Sequence, residues 1–261
     1  MDQKSETQPD QQTIEEILNL YKSGKLNKAK KKIENCIKKF PKSFVLFNIL
    51  GAVCAGQDEL EVAINHHKKS VEINPDYAEG YNNLGIAFQK LGLFEEAVKN
   101  YKKTLKLKPD FSLAYNNLGV VLKSLNKLDE ALLTSKKAIE LDPKFADAHN
   151  NIGAILQDLG NYEEAYKFYK KAIKLKSNYS GAYNNLGILL NKLDKIEECV
   201  ENYQKAIKIN QKNNKTYSNY LFNLNYFSKL YSNYLFNLNY LSKYDGNYYI
   251  EEAKKYRVSL K

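Results

Sequence analysis

The sequence contains little cysteine and no pattern of cysteines that binds metal. Its three cysteines, Cys36, Cys54 and Cys199, are odd in number and scattered, and no two of them form a CxxC pair. A disulfide framework or a structural zinc site needs paired, regularly spaced cysteines. The three residues therefore indicate reduced thiols that fill the core of a protein in a reducing compartment.

Long apolar runs are also absent. No stretch of about 18 or more apolar residues occurs, which excludes a membrane span on the sequence pattern. The N-terminal residues 1–12 are polar and have no apolar centre, so no secretory signal is expected. We therefore expect a cytoplasmic protein without a membrane span, whose residues 1–12 are disordered.

Arginine is nearly missing although the chain is basic. The net charge is +10, yet Arg257 is the only arginine and lysine supplies the rest. Arginine is the residue that favours bidentate phosphate recognition. The abundance of Lys, Asn, Tyr and Ile is typical of a compositional bias toward AT-rich codons, so we expect no nucleic acid as a partner.

The sequence contains no recognisable set of catalytic residues. There is no glycine-rich phosphate loop after a strand, no Ser/His/Asp arrangement and no metal-ligand spacing. The three histidines, His66, His67 and His149, all fall inside helical patterns, and His149 stands where Tyr81 and Tyr115 stand in other copies. We expect a non-catalytic protein that uses no cofactor and no metal.

Internal repetition is what the sequence has in abundance. The residues Tyr-Asn-Asn-Leu-Gly-Ile recur nearly unchanged every 34 residues, at Tyr81–Ile86, Tyr115–Val120, His149–Ala154 and Tyr183–Ile188. A repeat of this length is one supersecondary unit that has been stacked, which predicts a solenoid whose function is binding.

Each repeat predicts a helical hairpin. The apolar residues have helical period twice in each unit, and a turn such as Leu91-Gly92-Leu93 separates helix A from helix B. A degenerate hairpin over residues 13–43 precedes five full repeats over residues 44–213. The five units are Phe44–Tyr77, Ala78–Phe111, Ser112–Phe145, Ala146–Tyr179 and Ser180–Asn213.

Glycine and proline recur at fixed places in the units. A glycine inside a helix costs roughly 1 kcal/mol relative to alanine, so Gly85 and its equivalents predict a close approach of helix A to small residues of helix B such as Ala97. Proline cannot continue a helix, and it predicts the end of helix B at Pro41, Pro75, Pro109 and Pro143. The last two units have Ser177 and Gln211 there.

This set of residues resembles the tetratricopeptide repeat family. The shared frame is an aromatic residue, Leu-Gly, alanine, a second aromatic residue and proline, as in Tyr81, Leu84-Gly85, Ala97, Tyr101 and Pro109. The resemblance implies an all-α fold, a right-handed α-α superhelical solenoid. It also implies that helices A line a concave groove which holds a peptide or a partner protein.

The second asparagine of each Asn-Asn pair also recurs in register, at Asn83, Asn117, Asn151, Asn185 and Asn219. Asparagine is a mediocre helix former, so its repetition needs a reason. One interpretation is recent duplication with local hydrogen bonding. The other is a ladder of amides that holds the backbone of an extended peptide, because a carboxamide both donates and accepts.

The ladder resembles that of the tetratricopeptide half of O-GlcNAc transferases, in which groove asparagines bind the substrate backbone. The first full repeat departs from this pattern with Ile49, so a ladder would begin at Asn83. Further groove candidates lie on the next turns of helix A: Gln89, Lys90, Lys123, Gln157, Asp158, Asn191 and Lys192. No aromatic or arginine cluster marks an anchor, which favours a broad-specificity binder.

Residues 214–261 differ from the repeats in composition. Tyr217–Tyr226 and Tyr231–Tyr240 have the same sequence, within a duplicated block of 14 residues. An apolar stripe predicts a helical C-terminal cap with an exposed aromatic face, through which the protein could self-associate. The segment also resembles the one that joins the repeats to the catalytic domain in bacterial O-GlcNAc-transferase-like proteins, and the sequence ends at Lys261, where that domain would begin.

Two hypotheses of function follow. The first is a non-catalytic scaffold that binds an extended peptide segment of a partner protein in the groove. The second is the substrate-recognition part of a truncated or split O-GlcNAc-transferase-like glycosyltransferase, whose catalytic domain is not in this sequence.

Overall fold

The structure is a computed structural model, and it describes residues 8–210, 216 and 219–220. Within these residues it contains α-helices and no strand, which confirms the all-α class. The twelve helices are α1 (Gln11–Lys22), α2 (Leu26–Lys39), α3 (Phe44–Gly56), α4 (Leu60–Ile73), α5 (Ala78–Lys90), α6 (Phe94–Leu107), α7 (Ser112–Ser124), α8 (Leu128–Leu141), α9 (Ala146–Asp158), α10 (Tyr162–Leu175), α11 (Ser180–Lys192) and α12 (Ile196–Ile209). The predicted C-terminal cap lies outside the described residues, apart from 216 and 219–220.

The chain divides into two compact units, Met1–Gly160 and Asn161–Lys261. In the first unit each helix from α1 to α9 packs on its neighbour in sequence, and α3, α5, α7 and α9 also contact one another in series. In the second unit α10 packs on α11 and α11 on α12. The odd-numbered helices are therefore the predicted helices A, and in the first unit four of them lie side by side.

The ends of the helices follow local chemistry. Helices α3, α5, α7, α9 and α11 begin at the first residue of each 34-residue unit. Helix α1 begins at Gln11, two residues before the expected hairpin, because Asp10 caps it and accepts a hydrogen bond of 2.7 Å from the backbone N–H of Thr13. That hydrogen bond lowers the pKa of Asp10.

The turn from helix A to helix B uses a left-handed residue in each hairpin. The residue is glycine in three hairpins and Asp or Asn in the other three, with φ of 75° at Gly92 and 58° at Asn126. Glycine adopts this region without strain, and Asn and Asp are the side chains that tolerate it best. The alternation of these residue types at one register shows that the turn geometry is common to all the hairpins.

The glycine of helix A faces an aromatic ring at Gly85 and Gly187, where a small residue was expected, whereas Gly119 faces Ser135 and the backbone of Ala131. A Cβ on Gly85 would lie 2.7 Å from Cε1 of Tyr101, and one on Gly187 would lie 2.8 Å from Cε1 of Tyr203. Both tyrosines are buried. The glycine therefore makes room for the largest side chain of helix B, while Ala97 is buried beside it.

Helix B ends at the same register with or without proline. Helix α10 ends at Leu175 although Ser177 replaces the proline. The residue after the helix is extended in both cases, with φ −140° and ψ 90° at Lys176 and φ −130° and ψ 94° at Asn74. The packing of the hairpin therefore sets the end of the helix, and proline is compatible with the extended residue that precedes it.

Candidate functional site

Three helices A of the first unit, α5, α7 and α9, each have an accessible stripe of side chains. On α5 this stripe consists of four exposed or half-buried side chains, Glu79, Asn83, Ile86 and Lys90. This spacing of four, three and four residues follows one face of a helix. The equivalent stripes are Leu113, Asn117, Val120 and Ser124 on α7, and Asp147, Asn151, Ala154 and Asp158 on α9. We call these twelve residues the helix-A surface.

Three of the predicted ladder asparagines, Asn83, Asn117 and Asn151, lie on this surface and bond to the preceding helix A. Nδ2 of Asn117 donates to Oδ1 of Asn82 at 3.3 Å, and Nδ2 of Asn151 donates to Oδ1 of Asn116 at 2.8 Å. Asn83 donates in the same way to Asn48 at 3.1 Å. The second asparagine of one repeat is therefore tied to the first asparagine of the repeat before it.

The two asparagines of a pair differ in accessibility. Asn82 and Asn116 are only 3% and 5% exposed, whereas Asn83, Asn117 and Asn151 are half-buried. A carboxamide has two N–H donors and an oxygen that accepts twice. One inter-repeat bond therefore leaves Asn117 and Asn151 with an N–H and the oxygen Oδ1 for a ligand.

The first rung of the ladder joins a buried polar cluster. Oδ1 of Asn48 accepts from Asn83 and also lies 3.0 Å from Nδ1 of His67, while Nδ2 of Asn48 donates to Oη of Tyr77 at 3.1 Å. An amide oxygen only accepts, so Nδ1 of His67 carries the proton. Burial lowers the pKa of His67 to about 4, which keeps the imidazole neutral at physiological pH.

The other predicted groove residues divide between internal bonds and free surface. Oε1 of Gln89 accepts a hydrogen bond of 2.8 Å from the hydroxyl of buried Tyr101, so this side chain is an anchor for the core. Lys123 stands at the register of Gln89 and instead forms an ion pair of 2.7 Å with Asp158 of the next helix A. Lys90 is exposed at the end of α5.

The remaining predicted groove residues lie on α9, on α11 and at position 219. Gln157 on α9 is half-buried. In the second unit Asn185 and Asn191 are half-buried on α11, and Lys192 is exposed at its end. Asn219 is half-buried. The roles of these residues stay predictions.

The helix-A surface is electrically balanced. Glu79 at one end pairs with Lys108 at 3.0 Å, and Asp158 at the other end pairs with Lys123. Lys90 and Asp147 add one charge of each sign. The centre of the surface carries amides and aliphatic side chains, so it favours a neutral ligand over a strongly charged one.

Sequence reasoning missed two rows of this site. The first is the buried acceptor row of Asn48, Asn82 and Asn116, whose 34-residue recurrence was visible but was assigned no role. The second is an aliphatic row, one turn beyond the ladder on the same face, formed by Ile86, Val120 and Ala154. Apolar residues at this spacing look like core in a sequence, and only their partial exposure distinguishes them.

The accessible face of helix B is mixed in charge. Its lysines pair with acids one turn away, as Lys137 does with Glu140 at 2.8 Å and Lys167 with Glu164 at 2.6 Å. Such exposed pairs contribute little to stability, because water and salt screen them. This surface has the properties expected of a solvated face.

Two of the three cysteines lie in the core as expected, whereas Cys36 is only half-buried. Cys54 and Cys199 are buried free thiols, and burial raises the pKa of Cys199 to about 11. Both therefore stay protonated at neutral pH and pack as small apolar groups. In the described part of the chain no helix is long and apolar enough to cross a membrane.

The fold and this surface define a helical-repeat protein, and family profiles identify the repeat. Profiles described as tetratricopeptide repeat match residues 78–111, 146–179 and 180–213, and residues 100–132. A further profile described as TPR repeat matches residues 51–92 and 121–160. Together the matches cover residues 51–213 without a gap, more than half of the sequence. The chain belongs to the tetratricopeptide repeat family.

Several solved structures have a similar fold. MamA is 25% identical, with a TM-score of 0.54, over 64% of this chain and 97% of MamA. YrrB, described as a TPR protein with an unusual peptide-binding site, is 21% identical with a TM-score of 0.53, over 71% of this chain and 96% of YrrB. The Cut9–Hcn1 structure is 15% identical with a TM-score of 0.75, over 91% of this chain and 47% of that one. No curated protein matches the sequence significantly.

Proposed function

We propose that this protein is an interaction scaffold that binds an extended segment of a partner protein on the helix-A surface. The observation that carries the proposal is the row of half-buried amides of Asn83, Asn117 and Asn151. Each keeps hydrogen-bonding capacity on the accessible side after bonding to the preceding repeat. An amide that both donates and accepts can hold a peptide backbone whatever the side chains are.

Family membership supports the class of function. The resemblance to the tetratricopeptide repeat implies a groove that holds a peptide or a partner protein, and YrrB is described as a TPR protein with an unusual peptide-binding site. Within the first unit, Lys90, Lys123 and Gln157 would contact the flanks of the ligand. On α11 of the second unit, Asn185 and Asn191 are further candidate ligand contacts.

The inter-repeat hydrogen bonds dictate the control for the experiment. The variant N117A/N151A removes two accessible amides and also two bonds between helices. The variant N82A/N116A removes the same two bonds from their acceptor ends, but its two side chains are buried and cannot reach a ligand. The pair of variants separates loss of binding from loss of structure.

The test uses the full chain as bait to identify a partner, followed by titration of the purified partner. We expect N117A/N151A to bind about tenfold or more weakly, because each lost backbone hydrogen bond contributes about 1 kcal/mol. N82A/N116A should bind nearly as the natural protein does. Equal affinity of N117A/N151A and the natural protein would show that the amides do not hold the ligand.

As a second candidate function, we propose that the protein is the substrate-recognition part of an O-GlcNAc-transferase-like glycosyltransferase. It is favoured by the amide ladder and by the sequence pattern at Asn219–Tyr226. The DNA sequence downstream of the codon for Lys261 distinguishes the two hypotheses. A transferase sequence in frame or adjacent to it supports the second hypothesis, and unrelated sequence supports the free scaffold.

A further inference from the structure

The ladder has a second row beside it, and the two rows together define a spacing. On α5, α7 and α9 the accessible asparagine is followed three residues later by an aliphatic side chain, in the pairs Asn83 and Ile86, Asn117 and Val120, Asn151 and Ala154. All six side chains are half-buried. Residues three apart are neighbours on a helix, so each helix A presents one amide and one apolar contact side by side.

The repeat spacing selects one kind of peptide conformation. Packed helices lie roughly 8–10 Å apart, so a ligand that crosses α5, α7 and α9 meets an equivalent pair at that interval. A polyproline II chain rises about 3.1 Å per residue and has three residues per turn, so every third residue returns to the same face after about 9 Å. In a β-strand the same face recurs only after about 7 Å or about 14 Å, which does not match.

From this match we propose that the helix-A surface is built for a neutral peptide in the polyproline II conformation with an aliphatic residue at every third position. One residue in three would place its backbone against Asn83, Asn117 or Asn151 and its side chain against the aliphatic row. The inference rests on the proposed function, and it adds the conformation and the sequence period of the ligand.

The charges of the surface support a neutral ligand. The two ion pairs, between Glu79 and Lys108 and between Lys123 and Asp158, neutralise the charges at its flanks. Leu113, which is 39% exposed on α7, extends the apolar centre. A strongly acidic or basic peptide would find no complementary field here, whereas an aliphatic side chain would cover an apolar row already half removed from water.

The test compares two fluorescein-labelled peptides of 12 residues and equal composition by fluorescence anisotropy. In the first, Ser-Gln-Leu is repeated four times, and in the second the four leucines occupy alternate positions. Both are titrated with the full chain and with the variant V120N, which places a polar group in the middle of the aliphatic row. Val120 is half-buried on the accessible face, and far-UV circular dichroism verifies that V120N is folded.

We expect the period-three peptide to bind the natural protein about tenfold more tightly than the alternating peptide, and V120N to lose this preference. Equal affinities, no binding of either peptide, or a preference that V120N retains would each overturn the inference. The proposed function is tested separately, because a natural partner that is lost with N117A/N151A would support the scaffold even if both peptides failed. Conversely, an affinity for the period-three peptide that N117A/N151A leaves unchanged would support the aliphatic row and contradict the amide ladder.

Discussion

The contact between Gly85 and Tyr101 shows why the repeat needs a glycine inside a helix. The phenol ring of Tyr101 lies against the backbone of α5 and its hydroxyl donates to Oε1 of Gln89 on the same helix. The glycine, the ring and the amide therefore form one structural element. In the third repeat, where Ser135 replaces the tyrosine, Lys123 replaces Gln89 and bonds elsewhere.

We predict that G85A lowers the free energy of unfolding by about 1–3 kcal/mol, because its Cβ would lie 2.7 Å from the ring of Tyr101. In a Y101A background the ring is gone, and the same substitution should stabilise the helix by up to about 1 kcal/mol. Urea unfolding of the four proteins of this double-mutant cycle measures both effects. The same sign in both backgrounds would contradict the contact.

His67 predicts a dependence of stability on pH. Burial depresses its pKa to about 4, so below about pH 6.5 the unfolded chain takes up a proton that the folded chain refuses. Stability is therefore complete above that pH and is lost as the pH falls toward 4. Between pH 7 and pH 5 the histidine should remove about 2 kcal/mol of unfolding free energy.

The variant H67Y isolates this effect, since tyrosine occupies the same register in Tyr101 and Tyr203 and Gly51 leaves room for a ring. Urea unfolding at pH 7 and pH 5 should give a smaller difference for H67Y than for the natural protein. Identical differences in the two proteins would mean that His67 is protonated in the folded state.

The helices could be predicted from the sequence because each one follows a repeated apolar period. Helix B was expected to end at proline, but α10 ends at the same register with Ser177 in that place. Hairpin packing holds Lys176 in the extended conformation that a following proline requires, with φ −140° and ψ 90°. The proline is thus an adaptation to the turn.

We accordingly predict that S177P stabilises the protein by about 0.4–1 kcal/mol, because it restricts only the unfolded chain. The control is S177A, which changes the side chain without fixing φ and should leave stability nearly unchanged. Thermal unfolding of the two variants measures the difference. A loss of stability in S177P would show that the backbone there differs from that at Pro75 and Pro109.

The faces of helix A were harder to predict than its length. Adjacent residues on a helix point about 100° apart, so the choice of which asparagine is accessible depends on how α5, α7 and α9 pack. In α5, α7 and α9 the second asparagine, the predicted ladder residue, is half-buried, whereas the first is buried. The inter-repeat amide hydrogen bonds and the aliphatic row could be identified only from the packed helices.

At the scale of the whole molecule, family membership and the all-α fold rest on the 34-residue period. The period was readable because every unit repeats the same contacts between neighbours. The identity of the ligand could not be predicted in this way, because it depends on a few accessible side chains and not on a recurring motif of the family. The cytoplasmic location, the non-catalytic role and self-association through residues 214–261 remain predictions.

Site-specific photo-crosslinking can locate the surface that binds the partner. Leu113 and Leu133 belong to the same repeat and are both exposed, at 39% and 74%, but Leu113 lies on the helix-A surface and Leu133 on helix B. A benzophenone amino acid replaces each leucine in turn in the full chain. If the partner binds the helix-A surface, we expect crosslinks to it from position 113 and none from position 133. Crosslinks from 133 alone would contradict it and assign binding to the helix-B face.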